Sequence, residues 1–126
     1  RKEVLLPGSQ DENLLQMHTF PCENGDEFPK NQYTKWFDYD KIKGTLSLRH
    51  RQPGDYLTLP SGGRKTLKSW MIDEKIPRQE REQIWLLAEE KHILWIVGHR
   101  ISAYYKITEQ TKTILEVEFN GGKSSG

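Results

Sequence analysis

The stretch TLPSGGRKTLKSWMI, residues 58–72, decides how the chain must fold. Its left end continues a strand-like alternation and stops at Pro60. Its right end changes period: Leu67, Trp70 and Met71 stand at i, i+3 and i+4, one face of a helix. Arg64, Lys65 and Lys68 are expected on another face of the same turns. Between the two halves lies Ser61-Gly62-Gly63-Arg64-Lys65-Thr66. Glycines let backbone N–H groups approach an oxyanion, and a helix start favours negative charge, so these residues are the ingredients of a phosphate cradle.

A nucleotide loop of the G-x-x-x-x-G-K-[ST] kind fails here. Lys65-Thr66 follows Arg64 rather than a glycine, and Thr58 and Leu59 stand where the first glycine belongs. The Ser-Gly-Gly start is similar to the pyrophosphatase-type loop of AMP-forming ligases. An acid and a serine should follow it, yet Arg64 and Lys65 do. The segment before it alternates like a half-exposed strand, whereas a nucleotide loop leaves a fully buried parallel one. No ATP site is expected. Taken alone, Gly-Gly-Arg-Lys reads first as a turn with solvated cations; with Lys68 nearby it also suits a nucleic-acid backbone, a row of phosphates.

Toward the N-terminus, residues 45–51 (TLSLRHR) alternate: Leu46 and Leu48 point one way, Ser47, Arg49 and Arg51 the other. Pro53-Gly54-Asp55 breaks this strand, and residues 56–59 resume it, which predicts a hairpin. Trp36-Phe37-Asp38-Tyr39 is strand-like. Residues 4–6 and 14–20 read as short strands around a turn at 7–11, and residues 23–30 as a polar loop. Toward the C-terminus a second helix is expected from Pro77 to about Gln83. Residues 85–88 and 92–97 read as buried strands joined by Glu89-Glu90-Lys91, with Gly98 ending the second. Residues 113–119 (TILEVEF) read as a last strand, and 120–126 as a fraying tail. There is no internal repeat. The sum is an α+β fold, mostly antiparallel, with two short helices inserted mid-chain.

The 126 residues suggest one domain, long enough to bury a core. The mean hydropathy of −0.82 is low, but four Trp, five Tyr and four Phe supply apolar area. No apolar run approaches the ~20 residues of a membrane span, and no leader pattern is present. The chain begins at Arg1 and is expected to be part of a longer protein. With one cysteine, Cys22, there is no intrachain disulfide, and a reducing cytoplasmic setting is expected.

The net charge of +1 is unevenly spread. Residues 1–48 carry −2, residues 49–81 carry +4 and residues 82–126 carry −1. Arg49 and Arg51 flank His50, Arg64, Lys65 and Lys68 follow, and Lys75, Arg78 and Arg81 continue the basic run. The bland alternative is pairing with Asp55, Asp73, Glu74, Glu80 and Glu82, although the excess of four positive charges resists complete neutralisation. His18, His50, His92, His99 and Cys22 show no zinc spacing, so no metal is expected. Cys22 lacks a cue for an activating partner. Asp38 and Asp40 would share a strand face; exposed acids are the first reading and an acid–base pair the second. Trp70, Trp85 and Trp95 read as core. Tyr104 and Tyr105, between Arg100 and Lys106, read equally as base-stacking groups or as a packed edge.

Residues 49–102 resemble the C-terminal domain of bacterial tRNA(Ile)-lysidine synthetase. The resemblance rests on Arg49, Arg51, Gly54 and Asp55; on Lys65, Leu67 and Lys68 after the Gly-rich turn; on Ile72, Asp73, Lys75, Ile76 and Pro77; and on Trp95, Gly98 and Arg100. Trp36-Phe37-Asp38 upstream adds to it, so it covers residues 35–119, with 1–34 matching less well and 120–126 a flexible tail. It implies a β-sandwich-like core with inserted helices, shared with a module of the phenylalanyl-tRNA synthetase β subunit. It implies a parent enzyme that ligates lysine to C2 of the wobble cytidine of tRNA(Ile). That enzyme would use ATP, with Mg, and lysine in an N-terminal domain carrying S-G-G-x-D-S. That motif is absent here, so this chain is expected to hold no catalytic residue, cofactor or metal.

The resemblance also implies that this part grips the tRNA acceptor stem, partners its own N-terminal catalytic domain and can form a homodimer. The RNA face is expected from Arg49, Arg51, Arg64, Lys65, Lys68, Lys75, Arg78 and Arg100. One rival is a protein-interaction module docking on a catalytic domain or second subunit; another is a stand-alone enzyme, for which no residue pattern asks.

Overall fold

Strand alternation and one change of period account for the architecture of the computed structural model, which describes residues 15–23 and 32–120. The elements are β1 (Leu15–Pro21), β2 (Thr34–Asp38), β3 (Leu46–Arg49), β4 (Tyr56–Thr58), β5 (Arg64–Thr66), α1 (Leu67–Asp73), α2 (Arg78–Arg81), β6 (Leu86–Glu89), β7 (His92–Ile96), β8 (Arg100–Ile101) and β9 (Thr113–Phe119). The chain is α+β and mostly antiparallel, with two short helices, as the sequence led one to expect. The strands expected at 4–6 and most of the polar loop at 23–30 lie outside the described residues, as does the tail beyond 120.

The described residues divide into two compact units, one of residues 44–104 and one of 15–43 with 105–120. The stretch from 35 to 119 takes in all of 44–104 and part of the other unit.

In the second unit β9 lies between β1 and β2, antiparallel to each. A central strand needs one face fully apolar, and Leu115, Val117 and Phe119 are buried on it. Asp38 and Asp40 do not share a strand face. The chain leaves β2 at Asp38 for a single 3-10 turn, Tyr39–Lys41. Buried Asp38 accepts from the Asp40 backbone N–H at 3.1 Å and from Thr111 Oγ1 at 3.0 Å. It is a cap, and the acid–base pair is not formed.

In the unit 44–104 the strand order is β3-β6-β7-β4-β5, with β8 also on β7. All neighbours are antiparallel except β4 and β7, which meet in parallel at Tyr56 and His92. The predicted hairpin between β3 and β4 is absent: β3 pairs with β6, and β4 with β5 and β7. The cause is the elbow between them. Arg49 clasps Asp55 across it, and Asp55 also accepts from the Gln52 N–H at 2.8 Å. The chain is thus carried to a different neighbour. The helical period does begin at Leu67: Thr66 caps α1, its hydroxyl accepting from the Ser69 N–H at 3.1 Å. Leu67, Trp70 and Met71 then pack with Leu57, Leu86, Ala88, Ile93 and Ile96 as one apolar cluster.

Candidate nucleic-acid interface

The Ser61-Gly62-Gly63 turn is the tip of the β4–β5 hairpin. The Gly62 N–H donates to Leu59 O and the Leu59 N–H to Gly63 O, both at 2.8 Å. Gly62 has φ +98°, where a side chain is strained, so the turn needs that glycine. Arg64 and Lys65 belong to β5, not to a helical turn as expected. α1 starts only at Leu67 and is seven residues long. The glycines and the helix start therefore do not converge on one point, and the cradle suggested by the sequence is not assembled.

The eight cations proposed from the sequence fall into distinct environments. Arg49 is turned inward. Its guanidinium forks onto both carboxylate oxygens of Asp55 at 2.9 Å and donates to His50 O at 2.9 Å and Glu90 O at 2.7 Å. The Asp55 side chain is 1% exposed, so this is a buried bidentate pair that holds the elbow. Arg51, two residues on, is directed differently and donates to Glu82 at 2.7 Å. Lys65 pairs with Asp73 of α1. Arg64 is exposed and lies over the Tyr56 ring, 4.4 Å from its centroid. Lys68, Lys75, Arg78 and Arg100 are exposed and make no ion pair with another described residue. Lys75 occupies the left-handed position ending α1, with φ 58°, a place more often given to glycine. Arg81 is half-buried, its Nε donating to Ile76 O at 2.8 Å, so it ties α2 to the preceding linker.

A cleft of about 600 Å³ opens between the 51–55 elbow, Thr66, Leu67, Lys68 and Glu82. Arg51 and Lys68 bring positive charge to its walls, and the Asp55 carboxylate, though part of the lining, is held by Arg49. Glu82 lines it too and accepts from Arg51, which leaves Lys68 as the cation of the cleft without an ion pair among the described residues. No cluster of His, Cys, Asp or Glu suited to a metal occurs among the described residues. No helix among them is long and apolar enough to cross a membrane.

His92 was not among the residues expected at a site. It is half-buried, stacked on Tyr56 at 4.6 Å, with Nε2 3.0 Å from Thr58 Oγ1 and 3.3 Å from Ser102 Oγ. Burial, and then the Arg64 charge, hold its pKa below the ordinary 6.5; Glu89 opposes them weakly. The signal was non-local: only the parallel contact of β4 with β7 brings residues 56 and 92 together. Of the two tyrosines read as a pair, Tyr105 is buried and Tyr104 is 44% exposed. Trp70 and Trp95 are core, as expected, whereas Trp85 is half-buried and stacks on His50 at 4.1 Å.

The family described as "TilS substrate C-terminal domain" matches residues 46–118. A tRNA(Ile)-lysidine synthase of Caldanaerobacter subterraneus subsp. tengcongensis is 46% identical over 94% of this chain, which spans 26% of that protein. The tRNA(Ile)-lysidine synthase of Clostridium tetani is 41% identical over 76% of this chain, which spans 21% of it. The solved structure described as "Crystal structure of TILS C-terminal domain" superposes with a TM-score of 0.60 at 27% identity. That match covers 92% of this chain and 88% of the other.

Proposed function

The chain belongs to the TilS substrate C-terminal domain family, and from that premise we propose that it is the tRNA-gripping C-terminal part of a tRNA(Ile)-lysidine synthase. Its partner is the acceptor stem of tRNA(Ile), bound through the phosphate backbone while a separate catalytic domain of the same protein works on the wobble cytidine. That catalytic domain would use ATP with Mg and lysine. The single observation supporting an RNA face here is the exposed basic surface of the unit 44–104, where Arg64, Lys68, Lys75, Arg78 and Arg100 all face solvent. Arg51 joins them at the cleft.

A-form stems are recognised through phosphates and 2′-hydroxyls rather than base edges, which suits long cations on a rigid support. Arg49 is removed from the RNA face and assigned to the elbow, because its guanidinium already holds Asp55 and two carbonyls. Lys65 keeps a smaller share, since Asp73 competes for it.

The test is binding of tRNA(Ile) across a salt series by the chain and by its Lys68→Glu/Arg78→Glu variant. Affinity of the parent chain should fall steeply with salt, and each lost phosphate contact should reduce that slope by roughly one. The double reversal is expected to weaken binding at least about ten-fold at low salt. Unchanged affinity would sink the assignment. One observation favours a second reading, docking on the catalytic domain or on another copy: Ile72 of α1 is 51% exposed between Lys68 and Lys75. That reading predicts no RNA binding by the chain, or binding almost indifferent to salt.

A further inference from the structure

Alternation in β4 sends Leu57 into the core, 1% exposed, and turns Tyr56 and Thr58 to the other face of the sheet. Their cross-strand neighbours in β5, Thr66 and Arg64, share that face, and so does His92, opposite Tyr56 in β7. On this outer face the flat groups form a ladder. The Arg64 guanidinium lies 4.4 Å from the Tyr56 ring centroid. The Tyr56 ring stacks on His92 at 4.6 Å and 24°. The His92 ring then meets Tyr104 at 5.2 Å and 38°. We propose that this ladder, Arg64-Tyr56-His92-Tyr104, is a stacking shelf that takes an unpaired nucleotide where an RNA stem ends.

Three observations carry it. Tyr104 is 44% exposed, whereas its neighbour Tyr105 is 1% exposed, so the chain packs one ring away and leaves the other at the surface. The shelf is rigid: the Thr58 and Ser102 hydroxyls lie 3.0 and 3.3 Å from His92 Nε2 and fix the plane of the middle ring. A plane that is already ordered costs little entropy when a base is added to it. Finally, the shelf shares β5 with the cleft that Lys68 lines: Arg64 ends the ladder and Thr66, two residues on, lines the cleft. A backbone held by phosphates at the cleft can therefore present its terminal base to the rings. Base–aromatic stacking is indifferent to sequence, which suits the end of a stem. Arg64 and Arg100, both exposed in this unit, supply charge for the phosphates of the unpaired strand.

This inference rests on the proposed RNA reading, so the experiment separates the two. The chain is titrated with a blunt acceptor-stem duplex and with the same duplex bearing a single-stranded 3′ extension that carries a fluorescent purine analogue. The extension should tighten binding about ten-fold, the worth of one stacked base, and the analogue should be quenched on binding. Tyr104→Leu should abolish both the preference and the quenching while leaving affinity for the blunt duplex unchanged; Tyr104→Phe, which keeps the ring, should preserve both. Equal affinity for the two duplexes, without quenching, overturns the shelf and leaves the phosphate-binding face standing. Failure to bind either duplex overturns both. If Tyr104→Leu weakens blunt and extended duplexes alike, Tyr104 is a general contact and the shelf is also overturned. Should that variant fail to fold, quenching by the parent chain and by Tyr104→Phe decides.

Discussion

Two cation–aspartate pairs stand within the same basic run, and they behave as opposites. Arg49 and Asp55 are six residues apart, bidentate and desolvated, with side chains 16% and 1% exposed. Lys65 and Asp73 are eight residues apart, a single-point contact with side chains 28% and 54% exposed. The difference follows from residue type and burial together. The planar fork of Arg can satisfy both oxygens of a buried carboxylate and still reach two carbonyls, whereas an ammonium is a mobile point charge that water competes for. In sequence the two pairs look alike. In the fold one is architecture, and the other leaves its cation partly available to a phosphate.

The largest expected effect comes from breaking the buried pair. Asp55→Ala would leave the Arg49 guanidinium enclosed without its counter-charge and would also unseat the Gln52 N–H. Loss of one partner of such a pair costs roughly 3–5 kcal/mol, so the denaturation midpoint should drop sharply. A loss below about 1 kcal/mol would mean that the elbow does not depend on this clasp and that the contrast is false. The Lys65–Asp73 pair should show the other extreme. A double-mutant cycle with Lys65→Ala and Asp73→Ala is expected to give at most about 1 kcal/mol of coupling, vanishing at high salt. Salt-insensitive coupling of several kcal/mol would place this pair with the buried one.

This contrast also marks where the sequence was legible and where it was not. Local periodicity placed β3, β6, β7 and β9 within a residue or two, because Leu46/Leu48 and the alternation of residues 113–119 report the apolar face directly. The change to helix at Leu67 was legible for the same reason. Strand pairing was not, since nothing in residues 45–59 states that Arg49 will turn back onto Asp55 and send β4 to β7 rather than to β3. Among site residues, the basic stretch was visible as charge, but charge alone could not separate inward Arg49 from outward Lys68. Neither could it reveal His92 beside Tyr56, which needs the non-local β4–β7 contact. The two tyrosines read equally as base-stacking groups or as a packed edge, and only burial tells them apart, with Tyr105 inside and Tyr104 at the surface.

The smallest expected effect sharpens the comparison from the other side, because His92 is a titratable group on which the larger charge influence is a cation, Arg64. Desolvation first, and the Arg64 charge second, lower its pKa from 6.5. The unfolded chain therefore binds the proton more readily than the folded one below that value. Stability is thus fully present above pH 6.5 and is lost as pH falls through the folded pKa. Unfolding free energies of the parent chain and of His92→Gln, measured from about pH 7.5 to about pH 5.5, isolate this contribution, since every other residue is common to both. The parent should lose stability relative to the variant on acidification, and a proton titration of the His92 ring by NMR should locate the midpoint below 6.5. A stability difference that stays constant across the range would show that His92 charges as easily in the fold as in water.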